Sequence, residues 1–297
     1  MNTNEPIDQA ADQATDRRAS ARRYARVLSI AGSDSGGGAG IKADLKTIAA
    51  LGCYGMTAIT AITAQNTVGV RAIHALPPEI LAAQIDAVVE DIGVDAVKIG
   101  MLHDPAVVRV VADAIRRHGL RQVVLDPVMV ATSGDRLIAE ATVDVLVREL
   151  FPLASVITPN LDEAELLLGR RIEGLDALED AARALVDLGA PAALLKGGHL
   201  PGDVVEDLLL CGARDPQPLR LRSPRIASRN VHGTGCTLSS AIACQLALGL
   251  PLREAVQAAR QYILGAIAAG ADVVTGKGHG PLNHGHAPVP TVRLPQA

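Results

Sequence analysis

Short runs of β-branched and aliphatic residues alternate with longer amphipathic stretches along most of this chain of 297 residues. Such alternation is typical of repeated strand–helix–strand units, which build a parallel sheet. Several runs are apolar throughout, as expected for strands that helices cover on both faces. We therefore predict an α/β fold of three layers (α/β/α), doubly wound around a mainly parallel central sheet with a small antiparallel edge.

The predicted elements alternate along the chain. Parallel strands are expected at residues 27–31, 57–63, 96–99, 123–126, 155–158 and 192–196. Helices are expected at residues 39–51, 78–91, 104–118, 139–150, 161–168, 175–188, 234–248 and 252–271. Two more extended segments, residues 204–210 and 219–227, flank a proline-rich connection and predict the antiparallel edge.

Composition narrows the class of partner. Hydrophobic residues make up 48% of the chain and charged residues 20%, which supplies a large core and excludes a disordered chain. The formal net charge is -4, and the chain has no Trp and one Phe. These values give neither the basic surface that binds nucleic acids or anionic membranes nor the aromatic platforms on which bases stack. We expect a small-molecule partner, no nucleic acid and no membrane.

The N-terminal residues and the cysteines bear on the domain organisation and on the cellular compartment. Residues 1–25 lack the apolar segment of a secretory signal and are expected to form a disordered leader before one domain at residues 26–290. Since no apolar run reaches about 18 residues, no membrane span is expected. The cysteines form no Cys-x-x-Cys pair and no metal-ligand spacing, which fits a reducing cytoplasm.

The sharpest motif is a glycine-rich turn at residues 230–237, Asn-Val-His-Gly-Thr-Gly-Cys-Thr, which precedes an apolar helix. The glycines allow a tight turn, and the amides and dipole at a helix N-terminus attract an anion. The turn therefore predicts a phosphate site. The alternative is a glycine turn that merely begins a helix.

Cys236 lies at the start of that helix. A thiol at a helix N-terminus has its pKa lowered by the dipole and the amides, so Cys236 is a candidate base. The alternative is a small buried packing residue.

Polar residues at the ends of other predicted strands are candidates for the same site. Asp126 ends one strand, while Asn160 and Glu163 are three residues apart at a helix start and share one face. Carboxylate oxygens suit Mg²⁺ bound to nucleotide phosphates, and Lys196, followed by two glycines, can reach a phosphate. The alternative for Glu163 is that it only compensates the charge at the start of a helix. The alternative for Lys196 is an ordinary surface lysine.

A second glycine-rich stretch, residues 36–40, lies between a predicted strand and helix. Its spacing does not match the dinucleotide-binding pattern, and the chain contains no P-loop. A kinase without a P-loop remains.

In their order, these segments resemble the hydroxymethylpyrimidine/phosphomethylpyrimidine kinases of thiamine biosynthesis, within the ribokinase-like superfamily. The resemblance covers about residues 26 to 286. It rests on Leu-Ser-Ile-Ala-Gly-Ser-Asp-Ser (28–35), Gly-Ala-Gly-Ile-Lys-Ala-Asp-Leu-Lys-Thr (38–47), Thr-Ala-Gln-Asn-Thr (63–67), Val-Lys-Ile-Gly-Met-Leu (97–102), Leu-Asp-Pro-Val-Met (125–129), Ile-Thr-Pro-Asn-Leu (157–161), Leu-Lys-Gly-Gly-His (195–199), Asn-Val-His-Gly-Thr-Gly-Cys-Thr-Leu-Ser (230–239) and Gly-His-Gly-Pro-Leu-Asn-His (278–284).

The resemblance implies roles for individual residues. It assigns substrate contacts to Gly32, Asp44, Gln65, Met101 and Val128. The Gln65 amide can donate and accept side by side, as an aminopyrimidine requires. The resemblance further implies Mg²⁺ near Asp126 and Glu163, ATP contacts from Lys196, Thr234 and Asn160, and an anion hole of Gly233, Thr234, Gly235 and Cys236.

The implied reaction is the Mg·ATP-dependent phosphorylation of 4-amino-5-hydroxymethyl-2-methylpyrimidine to its monophosphate and then to the diphosphate. The wider superfamily has Asp as base where this chain and the resembled family have Cys236, so Cys236 is the expected catalytic base. A homodimer is also implied. The alternatives are a pyridoxal kinase or a dual-specificity kinase, and a non-catalytic pyrimidine-binding sensor.

Overall fold

The computed structural model describes residues 22–129, 138, 140–212, 215 and 217–296. Its strands are β1 (Arg22–Tyr24), β2 (Arg26–Asp34), β3 (Tyr54–Asn66), β4 (Gly69–Ala75), β5 (Ala96–Ile99), β6 (Val123–Leu125), β7 (Val156–Ile157), β8 (Ala192–Leu195), β9 (Val204–Cys211), β10 (Leu219–Pro224) and β11 (Arg293–Pro295). Its helices are α1 (Gly40–Ala50), α2 (Pro78–Asp91), α3 (Pro105–His118), α4 (Glu140–Leu150), α5 (Leu161–Leu168), α6 (Leu178–Asp187), α7 (Thr234–Ala247) and α8 (Leu252–Gly270).

Within these described ranges, nine strands form the central sheet in the order β10-β9-β8-β7-β6-β5-β2-β3-β4. Six adjacent strands of this sheet run parallel, in the order β3, β2, β5, β6, β7 and β8. β9 and β10 pair antiparallel at one edge, as predicted, and β4 pairs antiparallel with β3 at the other. The mainly parallel sheet is confirmed, but it has two antiparallel edges where one was predicted.

Strand β4 was not predicted from the sequence. It is an edge strand, and its last five residues are exposed. Without a buried face, it shows no alternation of apolar and polar residues, which is the signal that marks a half-buried strand.

Helices cover both faces of the sheet and confirm the three layers. On one face, the aliphatic core joins the sheet to α2–α6. On the other, a second core joins it to α1, α7 and α8. In β5, Val97 and Ile99 enter the first core, while Ala96 enters the second. No helix in the described part of the chain is long and apolar enough to cross a membrane.

Helix boundaries follow local chemistry. The Asp104 side chain accepts hydrogen bonds from the amides of Ala106 (2.7 Å) and Val107 (3.0 Å), and Pro105 begins α3. This is an N-cap with proline in the first turn. Gly119 ends the helix at φ +63°. The predicted helix 175–188 instead begins with a 3₁₀ turn, Leu175–Ala177, before α6.

The chain ends differ from the prediction of a leader over residues 1–25. Arg22–Tyr24 form β1, which pairs antiparallel with β11, and Ala25 is fully buried. Residues 22–25 and the strand Arg293–Pro295 therefore belong to the folded part of the chain, outside the predicted domain bounds 26–290. The pairing of β1 with β11 supplies the hydrogen bonds that order these segments. The rest of the predicted leader, residues 1–21, lies outside the described residues.

Candidate functional site

A cavity of about 640 Å³ opens beyond the carboxyl ends of the parallel strands. It lies near β2, which pairs with β3 on one side and β5 on the other, the point where a doubly wound sheet reverses direction. The cavity is lined by all but one of the predicted site residues, namely Gly32, Gln65, Met101, Asp126, Val128, Asn160, Glu163, Lys196, Gly233, Thr234, Gly235 and Cys236.

The turn before α7 has the geometry of an anion site. Gly233 adopts φ +86°, and a side chain there would collide with the Gly38 carbonyl. This left-handed conformation and the close backbone approach both favour glycine. α7 begins at Thr234, and the first amides of a helix have no acceptor within it. With the positive end of the helix dipole, these amides can hold a phosphate.

The Cys236 thiol does not have the lowered pKa that the sequence predicted. The residue is partly accessible from the cavity, but burial of the thiol raises its pKa to about 11. The charge of Lys98 acts in the opposite direction without offsetting the burial. Cys236 is therefore a protonated thiol at neutral pH, because desolvation outweighs the helix terminus.

Asp126 and Lys196 form an ion pair beside the turn. The Lys196 ammonium donates to an Asp126 carboxylate oxygen at 2.9 Å, and the Thr158 hydroxyl donates to the same oxygen at 3.1 Å. A side chain at Gly235 would lie 3.1 Å from the Lys196 ammonium. The cation and the helix amides therefore converge on one region of the cavity.

Asn160 and Glu163 cap helix α5. The Asn160 side chain accepts from the Glu163 amide at 2.9 Å, and the Glu163 carboxylate accepts from the Asn160 amide at 2.8 Å. This capping box establishes the structural alternative considered for Glu163. Glu163 also lines the cavity, and burial, with a contribution from Asp126, raises the pKa of its carboxyl group to about 7.

Asp44 is the predicted residue that does not line the cavity. It is fully buried in α1, where its carboxylate binds the hydroxyls of Ser29 (2.6 Å) and Ser240 (2.8 Å) and the ammonium of Lys98. Both carboxylate oxygens already have partners and Asp44 does not line the cavity, so the structure gives it no direct contact with a substrate. The cavity is instead lined by its partner, Lys98, which the sequence analysis did not select. A lysine within the apolar β5 was the available signal.

Asp34 and His232, also missed, join the two glycine-rich turns. The Asp34 carboxylate accepts from the amides of Gly36 (2.7 Å), Gly38 (3.0 Å) and Ala39 (2.9 Å), and it lies 2.9 Å from Nε2 of His232. Burial alone would raise the pKa of Asp34, but these hydrogen bonds lower it. The ionised Asp34 thus fixes the turn before α1 against the turn before α7.

The opposite end of the cavity is apolar with one buried ion pair. Arg260, 7% exposed, lies 2.6 Å from the Asp207 carboxylate and donates to the Ser223 hydroxyl at 2.9 Å. The apolar lining here comes from Pro224, Ile226, Leu238, Ile263, Leu264 and Ile267. The cavity therefore has a charged centre and an apolar end that suits a planar ring.

Comparison with known proteins identifies the family. The family model described as phosphomethylpyrimidine kinase matches residues 34–283. This range includes both glycine-rich turns and both residues of the Asp126–Lys196 ion pair. The chain belongs to this family. One relative is the hydroxymethylpyrimidine/phosphomethylpyrimidine kinase of Rhizobium meliloti (strain 1021), which is 55% identical to this chain over 260 residues. The matched region covers 87% of this chain and 96% of the relative.

Solved structures of similar kinases share the fold. A phosphomethylpyrimidine kinase from Clostridium difficile 630 is 42% identical, with a TM-score of 0.71 over 82% of this chain and 99% of that one. An ADP complex of Bacillus subtilis pyridoxal kinase is 36% identical, with a TM-score of 0.81 over 88% of this chain and 98% of that one. The ribokinase-like fold that the sequence resemblance implied is confirmed for this phosphomethylpyrimidine kinase family member.

Proposed function

We propose that this chain phosphorylates the hydroxymethyl group of 4-amino-5-hydroxymethyl-2-methylpyrimidine and then phosphorylates the resulting monophosphate to the diphosphate, in thiamine biosynthesis. The phosphoryl donor is Mg·ATP. The observation that carries the proposal is that one cavity joins the amides of the turn 233–236 to the Asp126–Lys196 ion pair and to Gln65. The family of the chain and the names of its relatives support it.

The acceptor ring is assigned to the part of the cavity formed by Gly32, Gln65, Met101 and Val128. The Gln65 side-chain amide lies beside the Thr63 hydroxyl, at 3.1 Å, and that hydroxyl also donates to the Ser33 carbonyl at 2.5 Å. The amide carries both donors and an acceptor and can pair with the amino group and an acceptor nitrogen of the ring. Because Asp44 lies behind the cavity wall, its assigned role is to hold Lys98.

The donor phosphates are assigned to Lys196, Thr234 and Asn160, with the transferred group at the anion hole of residues 233–236. An ADP complex of a similar pyridoxal kinase supports nucleotide binding, and we assign the nucleotide ring to the apolar end. Phosphoryl transfer depends mainly on positioning and on neutralising charge, which amides and ammonium groups supply.

Asp126 and Glu163 fit a Mg²⁺ site. Their carboxylates interact closely enough that Asp126 helps to raise the pKa of Glu163, although burial is the larger cause. One ammonium, that of Lys196, balances both. Carboxylate oxygens are preferred Mg²⁺ ligands, either directly or through water. A bound Mg²⁺ would neutralise this excess charge together with that of the phosphates.

The decisive experiment is incubation of the protein with Mg·ATP and the aminopyrimidine, with the mono- and diphosphate followed by mass. Both products are expected in succession. If no phosphate is transferred, the enzyme proposal is rejected and the binding-sensor alternative is favoured. An Asp126→Asn variant should lose most activity at any Mg²⁺ concentration, because both the metal and Lys196 lose a charged partner.

Pyridoxal is the second candidate substrate, because the fold of a pyridoxal kinase matches this chain closely. Replacing Gln65 by Ala distinguishes the aminopyrimidine from pyridoxal as the substrate of this site. We expect kcat/KM for the aminopyrimidine to fall on the order of tenfold or more, since a hydrogen bond to the ring is lost, and pyridoxal turnover to change less. Thr63→Val, which removes the hydroxyl that contacts Gln65 and the Ser33 carbonyl but keeps the Gln65 amide, is the control and should have a smaller effect. Equal losses on both substrates would contradict the role of Gln65.

We further propose a homodimer formed through the β3–β4 hairpin. Ile62 of β3, Val68 of the connecting turn and Ile73 of the edge strand β4 are 49%, 66% and 45% exposed there. Exposed apolar side chains on an unpaired edge are suited to pair with a second copy. Sedimentation should show a dimer that Ile73→Glu dissociates, while Val204→Glu, at an exposed site of β9 near the other edge of the sheet, leaves it intact. A dimeric Ile73→Glu variant would exclude this interface.

All four cysteines, Cys53, Cys211, Cys236 and Cys244, are free thiols. Free thiols are stable in a reducing compartment, which supports the proposed cytoplasmic location.

A further inference from the structure

Lys98 is a charged side chain in the middle of the sheet. It lies in β5 between Val97 and Ile99, and it is fully buried. Its ammonium donates to both carboxylate oxygens of Asp44, at 3.0 and 2.9 Å. The Ser29 and Ser240 hydroxyls also donate to that carboxylate, so β2, α1 and α7 together fix the ammonium in one place.

The ammonium has capacity for one more acceptor. Lysine carries three donors, and two are directed to Asp44. Across the described ranges of the chain, the ammonium donates no other hydrogen bond. Burial disfavours the ammonium, but the charge of Asp44, with smaller contributions from Cys236 and Asp126, raises the pKa of Lys98 above its ordinary value. The side chain is thus a fixed positive charge with a donor to spare.

Lys98 lies on the acceptor side of the cavity. Its ammonium is close to Gly100, where an added side chain would approach it to 2.9 Å, and Gly100 precedes Met101 of the assigned ring site. It is also near enough to Cys236 to act on the thiol electrostatically. Two other cations line the cavity, Lys196 paired with Asp126 and Arg260 paired with Asp207, and Asp126 is near enough to act electrostatically on Lys98 as well.

The two proposed transfers make different chemical demands on this side. In the first, the acceptor is an alcohol, which must lose a proton as its oxygen bonds to the γ-phosphorus. In the second, the acceptor is a phosphate oxygen that is already ionised at neutral pH. It needs no base. The acceptor phosphate carries about two negative charges, however, and the repulsion between these charges and the γ-phosphate must be offset.

We propose that Lys98 binds the phosphate of the monophosphate and thereby makes the enzyme competent for the second transfer. The inference rests on the proposed function and deepens it. In this step an acceptor phosphate oxygen forms a bond to the γ-phosphorus, the bond from that phosphorus to the bridging oxygen of ADP breaks, and ADP leaves with the electron pair. No proton is transferred. Cys236 serves the first transfer alone.

The test compares two reactions on one preparation. The kcat/KM for the monophosphate is divided by the kcat/KM for the alcohol, so any loss of folded protein cancels in the ratio. Replacing Lys98 by Gln should lower the ratio on the order of 10- to 100-fold, as expected for a hydrogen bond to a charged group. Ser240→Ala, which removes only a hydroxyl that donates to Asp44 and leaves the Lys98–Asp44 pair in place, is the matched control and should leave the ratio at that of the wild type.

Removing one partner of a buried ion pair can prevent folding. If Lys98→Gln is insoluble, the Lys98→Gln/Asp44→Asn double variant replaces the pair by two amides that can bond to each other, and the same lowered ratio is expected. Equal losses in both reactions, or a larger loss with the alcohol, would overturn the proposal and leave Lys98 a structural residue. If the wild type phosphorylates neither acceptor, the proposed function fails instead.

Discussion

At the scale of single residues, the positive and negative groups of the cavity are paired before any ligand arrives. Lys98 pairs with Asp44, Lys196 with Asp126, and Arg260 with Asp207. Breaking such a pair costs far more than its net contribution to stability, because the remaining charge stays buried. The pairs therefore hold their ammonium and guanidinium groups in fixed positions, which suits the binding of phosphates.

The pH dependence of the first transfer tests Cys236. Burial raises the pKa of the thiol to about 11, so the thiolate fraction increases about tenfold per pH unit through neutral pH. If the thiolate is the base, kcat/KM for the alcohol should increase with that slope between about pH 7 and 9.5. The second transfer, which needs no base, should not. Initial rates with each acceptor measure both slopes.

The control is Cys236→Asp, which places the carboxylate of the wider superfamily at this position. An ionised carboxylate accepts a proton throughout this range, so its profile should be flat. A flat profile in the wild type would show that Cys236 is not the base.

Individual residues also show where sequence reasoning succeeds. Glycine turns, strand-end carboxylates and Lys196 were predicted because their types and order in the chain carry the chemistry. Asp44 was assigned to the substrate and instead binds Lys98. Which of two charged partners faces a cavity depends on side-chain packing between α1 and β5, and the sequence does not encode this in any local pattern.

At the scale of elements, the C-terminal segment packs over the start of α7. Nε2 of His284 lies 3.1 Å from the Thr237 hydroxyl, and the Tyr262 hydroxyl donates to the His284 carbonyl at 2.6 Å. Burial, followed by the charge of Lys46, lowers the pKa of His284 to about 4. The neutral imidazole is therefore part of the structure that supports the anion-binding turn.

This pairing predicts acid sensitivity. Below pH 6.5 the unfolded chain binds a proton at His284, but the folded chain does not until about pH 4. The stabilisation is complete above pH 6.5 and is lost as the pH falls towards 4, at roughly 1.4 kcal/mol per pH unit. Urea unfolding at pH 7 and 5 should show this loss, and His284→Gln should show a smaller dependence. An identical dependence in both proteins would contradict it.

Elements with a buried face were predicted more reliably than exposed ones. All eight helices of the described ranges coincide with predicted segments, because each packs an apolar stripe on the sheet. The strands β1, β4 and β11 were missed. Each is held by backbone pairing with a partner strand rather than by burial of its own side chains, and such pairing leaves no hydrophobic pattern.

At the scale of the whole molecule, we propose one cooperative domain closed by its two ends. Arg23 donates to Asp95 at 2.7 Å, and the ring of Tyr24 stacks on that of Tyr54 with centroids 6.2 Å apart. Thermal unfolding in a single transition would support one domain.

Two truncations test whether the pairing of β1 with β11 stabilises the domain. A chain that begins at Arg22 keeps β1, whereas one that begins at Arg26 loses β1 and the buried Ala25. We expect the shorter chain to have a Tm several degrees below that of the longer one, because strand pairing and apolar burial are lost. Calorimetry on both proteins measures the difference. Equal Tm values would show that β1 contributes nothing to stability.

The bond between Asp34 and His232 joins positions 198 residues apart in the chain. A contact of such long sequence separation cannot form until both of its segments have been synthesised. A ribosome-bound chain that has not yet released α7 consequently has half of its phosphate site missing. Phosphoryl transfer can therefore begin only after α7 has been synthesised, which is late in the synthesis of this chain.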